Sequence, residues 1–577
     1  MPRSFPPPVP MKLPAWRAWL VLAVLLTSFA ALIARAGYLQ GIHNDFLKQK
    51  GESRYGRLIE ISAHRGMVRD RNNEPLAIST PVEAVWANPT DIALNPRQMG
   101  RLAQLLGINP TELQKRLTAD PRREFVYLKR QLPPDEAAKV VELGLPGIYL
   151  TREYRRYYPA GEVMAHVIGF TGVDDNGQEG MELAYQDWLA GKPGSRKVIK
   201  DRLGRIIEDV ESVRVPQEGQ DLVLSIDSKI QYSAYRELKS ALAATQAKAG
   251  GVVVLDAKTG EVLALVNLPA YNPNNRERLD RERNRNRAVT DLFEPGSTLK
   301  PFTAAAALEI GAFKPDTLIQ TAPGTMTIGS ATIHDAHPHG LLSVAQVIQK
   351  SSNVGAAKIA LGIPKEALWK VLTQAGFGHP PELGFPGEAA GKLRPPRDWR
   401  PIENATLAYG HGISVSLVQL ARAYTLFTGD GELRPVSLVK RSEPPPGTPV
   451  VSPGTAREIR RMLEMVVAPG GTAELAQVQG YRVAGKTGTA HKLEGGRYAS
   501  HRYVASFVGF APASDPRLVI AVMIDEPSAG QYYGGLVAAP VFSAIMGSAL
   551  RLLGVAPDKP GDVALPVALE AGAKEEV

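Results

Sequence analysis

No cysteine occurs in the 577 residues of this chain. That excludes a disulfide framework, a thiolate metal site and cysteine-based redox chemistry. It suits a compartment where free thiols are a liability, without identifying one. Acidic excess is also missing: 67 Lys and Arg against 58 Asp and Glu leave a net charge of +9. Anionic lipid, phosphorylated substrates and nucleic acid are all compatible with that sign. The densest basic run, Arg276 to Arg287, is interleaved with Glu, Asp and Asn. It reads as a solvated loop or local ion-pair lattice, so no nucleic-acid partner is expected. Long apolar runs are scarce as well. One stretch, Ala18 to Ala34, is free of charge and bracketed by Arg17 and Arg35, with Trp16, Trp19 and Tyr38 at its edges. Seventeen residues lie at the short end for a spanning helix, about 17–25, and both arginines can snorkel. A signal peptide is the competing reading, but Ala34-Arg-Ala36 is a poor cleavage site. An uncleaved anchor is expected. Basic residues flank both ends, so the positive-inside count does not orient it. A short tail inside and a large domain outside is the simpler topology.

A chain this long divides into several domains. The expected division is a tail over 1–17, a transmembrane helix over 18–38, a mixed domain over 39–220, a second domain over 221–555, and a disordered tail over 556–577. Asn44 to Arg57 reads as a polar helix leaving the membrane. In the first large domain, short strands are expected at Arg57–Ile61, Val82–Ala87 and Val198–Ile207, with helices at Pro96–Leu106 and Pro134–Leu143. The second domain opens with a strand, Asp221–Asp227, and a helix, Lys229–Lys248. A hairpin of Gly251–Leu255 and Glu261–Val266 follows. Helices are expected over Lys300–Ile310, Ser343–Leu361, Ser416–Thr428 and Pro453–Val467. Strands return at Tyr481–Ala484, Ala505–Ala511 and Leu518–Ile524, before a last helix, Ala539–Leu553. Outer strands around a helical middle predict an α+β fold with an antiparallel sheet and helices packed on it.

Ser297-Thr-Leu-Lys300 is the sharpest chemical signal. A hydroxyl after Pro-Gly opens an Ala-rich helix, and an amine three residues on shares its face. A serine hydroxyl needs a base within hydrogen-bond reach to become a nucleophile. A lysine serves if burial or a second cation lowers its pKa. The pattern alone proves little, because Ser437-Leu-Val-Lys440 repeats it in what reads as a short strand. Two further tripeptides separate the copies. Ser351-Ser-Asn353 lies in an expected helix, and Lys486-Thr-Gly-Thr489 ends an expected strand. A second K-T-G, Lys258-Thr-Gly260, precedes the serine and reads as a hairpin turn. His334-Asp-Ala-His-Pro-His339 carries metal-ligand types, but its spacing fits no standard zinc pattern. It reads as a polar loop, and no metal or cofactor is expected.

In this order and spacing the three elements resemble the S-x-x-K, S-x-N and K-T-G set of penicillin-binding proteins and serine β-lactamases. The resemblance extends to His64-Arg-Gly-Met-Val-Arg-Asp-Arg-Asn-Asn-Glu-Pro-Leu-Ala77, Arg155-Arg-Tyr-Tyr-Pro159 and Ala165-His-Val-Ile-Gly169. It also takes in Ala408-Tyr-Gly-His-Gly412 and Gly534-Gly-Leu-Val-Ala-Ala-Pro-Val-Phe542. It covers roughly residues 18–555. The chain is most similar to class B penicillin-binding proteins of the division-specific FtsI family, in which Ser352 in place of Asp is usual. The resemblance implies a pedestal or dimerisation-type domain under a transpeptidase domain.

It also implies acyl transfer. Ser297 would attack the penultimate D-Ala of a stem pentapeptide, Lys300 would take its proton, and Lys486 would help keep Lys300 neutral. Ser351 would relay a proton to the leaving amine, and Asn353 would bond the substrate amide. Lys486, Thr487 and Thr489 would hold the terminal carboxylate, with Gly488 allowing close approach. The N–H groups of Ser297 and Thr489 would form an oxyanion hole. β-Lactams would acylate Ser297 stably. Tyr503, Tyr532 and Tyr533 either wall the cleft or are packing residues. The expected product is a 4→3 cross-link in septal peptidoglycan, made in the periplasm from an inner-membrane anchor. The first domain shows no glycosyltransferase pattern, so an FtsW-type polymerase is the implied partner, alongside other division proteins. An elongation-specific enzyme, a D,D-carboxypeptidase or β-lactamase, and a β-lactam sensor or structural division protein are the alternatives.

Overall fold

The computed structural model describes residues 14–42, 56–61, 63–92, 94–120, 123–200, 206–276, 280–494 and 497–559. Helix α1, Ala15–Gly37, is exposed along its length. With its continuation to Gln40 it is long and apolar enough to cross a membrane, and no other helix among the described residues is. The expected polar helix over 44–57 falls largely outside the described residues; Gly56–Ile61 is strand β1. The tail beyond Lys559 also lies outside them.

The N-terminal folded part is built on strand β2, Pro75–Ala87. It is longer than its Val82–Ala87 expectation because Ile78 to Ala87 pair continuously with a later strand. Helix α2, Pro96–Leu106, begins at a capping box made by Asn95 and Gln98 and ends at Gly107 in the left-handed region, as cap chemistry dictates. Strand β3, Val126–Leu132, helix α3, Pro134–Glu142, and strand β4, Ile148–Tyr157, follow. These elements close a small separate core around Leu102, Leu106, Leu128 and Val140. The expected single strand Val198–Ile207 is instead two, β5 Gly194–Lys200 and β6 Ile206–Arg214, which pair antiparallel with each other while β5 also pairs with β1. The extended pattern is right, but the chain reverses inside it.

The expected strand Asp221–Asp227 is also corrected. Only Leu222–Val223 is strand. Asp221 is drawn sideways by Met67 N–H and Arg69, and Asp227 caps helix α4, Ser228–Thr245, by accepting from Lys229 and Ile230 N–H.

The C-terminal half carries a five-stranded antiparallel sheet. Its strands are β7 Ala249–Asp256, β8 Val262–Leu268, β9 Ala484–Glu494, β10 Arg497–Ala511 and β11 Leu518–Asp525, in the order β8-β7-β11-β10-β9. Every residue of β7, β8 and β11 is buried, so these read as continuous apolar runs, whereas β9 is an edge. Helix α4 and a last helix, Ala539–Leu552, pack together on one side. On the other side stand Lys300–Glu309, whose Ala304 to Ala307 are all fully buried, and Pro453–Val467. Alanine there lets neighbouring helices approach closely, since no side chain extends beyond Cβ. The expected helix Ser416–Thr428 is α-helical only over Leu417–Tyr424 and tightens to a 3-10 turn at Thr425–Phe427.

The two halves share one core, in which Val68, Leu76, Met164 and Ile168 join Ile230 and Val254. Asp70 accepts from Ser228 Oγ at 2.7 Å, and Asn72 Nδ2 donates to Asp227 at 3.1 Å. Behind this joint Glu182 is fully buried between two guanidinium groups, Arg65 at 2.7 Å and Arg156 at 2.7 Å. Removing the anion leaves two buried cations unpaired. Glu182→Ala is therefore expected to cost about 3–5 kcal/mol in urea denaturation. Glu458→Ala, which breaks the exposed pair with Arg461, is expected to cost less than about 1 kcal/mol.

Candidate active site

Ser297 lies in a 3-10 turn, Gly296–Leu299, that leads directly into the helix beginning at Lys300. In a 3-10 turn residues i and i+3 eclipse, so the Ser297 hydroxyl and the Lys300 amine meet at 3.0 Å. The turn forms because Gly296 adopts φ 57° and sits against two close neighbours. A Cβ on Gly296 would lie 3.3 Å from the Thr489 carbonyl, and one on Gly410 would lie 2.2 Å from the Gly296 carbonyl. Thr298 Oγ1 donates to the Pro295 carbonyl, and Tyr424 OH donates to the Thr298 carbonyl. Pro301 follows Lys300 in the first helical turn, where its missing N–H costs nothing.

The expected helix Ser343–Leu361 is broken at the second motif. One helix, Val344–Lys350, ends at Ser351, which takes the left-handed conformation (φ 61°, ψ 37°), and a new one runs Asn353–Leu361. For a serine this backbone costs about 1–3 kcal/mol. Ser352 caps the new helix by accepting from Gly355 N–H at 2.9 Å. A Cβ at Gly355 would lie 2.5 Å from Val347, so glycine lets the two helices cross. The break turns Ser351 Oγ and Asn353 Oδ1 onto Lys300, at 3.1 and 2.8 Å, and the Ser351 carbonyl also accepts from the amine. Asn353 Nδ2 donates to the His334 carbonyl at 2.8 Å, which fixes the orientation of its amide.

The third motif lies near the middle of β9 and not at a strand end, because β9 begins at Ala484 and continues to Glu494. Lys486 Nζ donates to Ser351 Oγ at 2.9 Å and to Thr487 Oγ1 at 3.2 Å. Thr487 Oγ1 also lies 3.1 Å from Thr472 Oγ1, and Thr489 Oγ1 accepts from Gly534 N–H at 3.0 Å. At Gly488 a Cβ would meet Ser506 Oγ at 2.4 Å and the Pro295 carbonyl at 2.8 Å. Glycine is thus what seats the strand beside the Ser297 turn.

Lys300 and Lys486 are both fully buried. Burial, then the charge of Lys486, holds the Lys300 amine well below the ordinary lysine value, while Asp335 pulls the other way. Burial brings Lys486 down to about 7. Ser297, Ser351, Asn353, Thr487 and Thr489 line one cavity of about 590 Å³. The three tyrosines are not core. Tyr503 stacks on Tyr532 with centroids 4.0 Å apart, and Tyr532 on Tyr533 at 4.6 Å. Of the three, only Tyr533 reaches the cavity wall. His411 and His491 also line it, and the motif reading missed them. His411 was signalled by its place in Ala408-Tyr-Gly-His-Gly412; burial, then Lys300, lowers its pKa to about 4, keeping it neutral.

The second S-x-x-K is explained away. Ser437 Oγ donates to the Val439 carbonyl, and Lys440 Nζ donates to the Arg71 carbonyl at 3.0 Å. The segment forms isolated bridges to Leu224 and Glu261 and no strand. Lys258-Thr-Gly260 is the expected turn, held by Asp256 accepting from Lys258 and Thr259 N–H. Within the basic run, Arg287 pairs with Glu282 and Asp291, and Arg285 with Asp291. No cluster able to hold a metal occurs among the described residues.

Two family models match the chain: the penicillin-binding protein transpeptidase domain over residues 250–547, and the penicillin-binding protein dimerisation domain over residues 60–224. The chain is 46% identical over 544 residues to the probable peptidoglycan D,D-transpeptidase PenA of Neisseria gonorrhoeae, covering 94% of this chain and 93% of the relative. It is 44% identical over 551 residues to the peptidoglycan D,D-transpeptidase FtsI of Escherichia coli K12, with the same coverage of 94% and 93%. The solved transpeptidase domain of Burkholderia pseudomallei penicillin-binding protein 3 is 52% identical, with a TM-score of 0.54 over 58% of this chain and 98% of that one. With both models in order and similarity along nearly its whole length, the chain belongs to the penicillin-binding protein transpeptidases.

Proposed function

We propose that this protein is a peptidoglycan D,D-transpeptidase that forms 4→3 cross-links in septal cell wall through a Ser297 acyl-enzyme. One observation carries the assignment of roles: Ser297, Lys300, Ser351 and Lys486 form a continuous hydrogen-bonded chain whose two serines line a cavity and whose two lysines are buried behind it. Two of the four oxygens around Lys300 Nζ, Asn353 Oδ1 and the Ser351 carbonyl, can only accept. A neutral amine spends its two protons on them. Its lone pair then faces the hydroxyls, where it accepts the Ser297 proton as general base.

The free edge of β9 orients the substrate by strand addition. The terminal carboxylate lies by Lys486, Thr487 and Thr489. The scissile carbonyl lies over Ser297, between the N–H groups of Ser297 and Thr489, and the earlier residues run on toward His491. Ser297 Oγ bonds to the carbonyl carbon, and its proton passes to Lys300. The carbon–nitrogen bond to the terminal D-Ala breaks, and the leaving amine takes a proton through Ser351. An amine of a neighbouring stem peptide then attacks the ester, forming the new peptide bond and returning a proton to Ser297. β-Lactams enter by the same route, but their ring-opened acyl group remains attached. Tyr533 walls the cleft, backed by Tyr532 and Tyr503.

Helix α1 anchors the chain in the inner membrane, with the folded halves in the periplasm. Glycan polymerisation comes from an FtsW-type partner. Added to a lipid-linked disaccharide pentapeptide, the purified chain is expected to make no glycan by itself and to cross-link glycan once such a polymerase is supplied. Polymer made by the chain alone would refute this division of labour. Intact-mass spectrometry after penicillin treatment is expected to show one covalent adduct, lost in Ser297→Ala and kept in Ser437→Ala. An adduct surviving Ser297→Ala would remove the nucleophile from the account.

A further inference from the structure

A second cavity, of about 370 Å³, meets the cleft at His491, which lines both. Four carboxylates line this second cavity: Glu282, Asp291, Glu294 and Asp525. Three of them are matched by cations. Arg287 pairs with Glu282 at 2.9 Å and with Asp291 at 3.1 Å, and Lys492 pairs with Asp525 at 2.8 Å. Lys248 and Arg285, on the same wall, are engaged by Glu526 and Asp291. Glu294 is the exception. Its carboxylate accepts from Gly412 N–H at 2.8 Å and from Tyr498 OH at 3.0 Å, both neutral donors, and it makes no ion pair among the described residues. Burial raises its pKa, and those two hydrogen bonds pull the other way. Leu292, Phe293, Val504 and Met523 give the cavity apolar walls. An apolar arm ending in one positive charge is the side chain that suits such a lining.

A 4→3 cross-link sets a requirement on the substrate. The attacking amine belongs to the third residue of the neighbouring stem, so every stem carries an amine on its third side chain. A stem acting as donor brings that amine into the enzyme as well, where it does not react. With the terminal carboxylate by Lys486 and the scissile carbonyl over Ser297, the third residue of the donor comes next along β9, toward His491 and the second cavity. Resting on the acyl-transfer reading above, we propose that this cavity is the subsite for the third side chain of the donor stem, a diamino acid, with its methylenes against Leu292 and Phe293 and its ammonium on Glu294. The pairing gives a partly buried carboxylate the cation it lacks, through a charge-assisted hydrogen bond. It also keeps the donor's own amine away from the ester, which is left to the amine of the neighbour.

The test is the release of terminal D-alanine by the full chain in detergent from two stem pentapeptides. Both carry diaminopimelate as third residue, one with its distal amine free and one with that amine acetylated. D-alanine leaves at acylation, so the readout is the same whether water or an amine later takes the acyl group. Each rate is divided by the benzylpenicillin acylation rate of the same preparation, which cancels any unfolded fraction. Wild type is expected to favour the free amine about tenfold or more, as a hydrogen-bonded charge pair allows. In Glu294→Gln the two peptides are expected to react within about twofold of each other, and Glu294→Asp, with the charge on a shorter arm, to keep part of the preference. A wild type that treats both peptides alike, or a Glu294→Gln that keeps the full preference, overturns the inference. Should Glu294→Gln not fold, a full wild-type preference in Glu294→Asp overturns it equally. A wild-type chain that takes no penicillin would overturn the acyl-transfer reading as well. Normal penicillin acylation with no preference at the third residue overturns this inference alone.

Discussion

Two buried lysines facing one serine hydroxyl constrain everything around them. Lys300 and Lys486 reach Ser351 Oγ at 3.1 and 2.9 Å, so their amines stand no more than about 6 Å apart. Two unit charges at that separation repel by about 3 kcal/mol at an effective dielectric of about 20. Each is already disfavoured by burial. Near neutral pH the pair therefore cannot hold both charges, and the proton deficit falls on Lys300, the amine beside Ser297. The opposing pull of Asp335 is too small to reverse that order.

Much of the fold serves to keep this pair assembled. The Ser297 turn is pinned where Gly296, Gly410 and Gly488 bring three backbone segments closer than any side chain would permit. The left-handed Ser351 is stabilised by the same lysines whose charge it bridges. β9 remains an edge strand, and an edge is a liability in an ordinary sheet. Here the unpaired edge lies beside the Ser297 turn, and its Thr487 and Thr489 line the same cavity as Ser297. Among the described residues, the N-terminal half contributes no side chain to the cleft. It joins the transpeptidase half through Asp70, Asn72 and a shared core.

Sequence patterns made the site legible because its polar side chains recur at fixed spacings within three short motifs. Ser297, Lys300, Ser351, Asn353 and Lys486 to Thr489 converge as the three motifs predict. Regular elements bounded by strong caps were also readable: Pro96–Leu106 and Pro453–Val467 match residue for residue. Failures came where tertiary contacts override local preference. Nothing in Gln349 to Gly355 announces a left-handed serine, because that conformation is held by lysines from two distant segments. The division of 198–207 into two strands was missed because the turn-forming residues Asp201 and Gly204 between them were read through as strand. Asp335 looked like one member of a polar loop, since its partners Ser352, Asn353 and Val354 are 17 to 19 residues away in sequence. The tyrosines were only half legible: a period-two or helical pattern cannot distinguish a cleft wall from a stack behind it.

The ionisation of Lys300 is the point on which the account stands. With lysine side chains labelled with carbon-13 at Cε and Lys300 assigned by its loss in Lys300→Met, the Cε shift of the resting enzyme can be followed against pH. The account predicts a neutral Lys300 amine at pH 7.5, its protonation appearing only on acidification. It also predicts that Lys486→Met moves the titration upward, as the repelling charge is removed. A Lys300 signal that stays fully protonated at pH 7.5 and titrates near the ordinary lysine value of about 10.4 would contradict it.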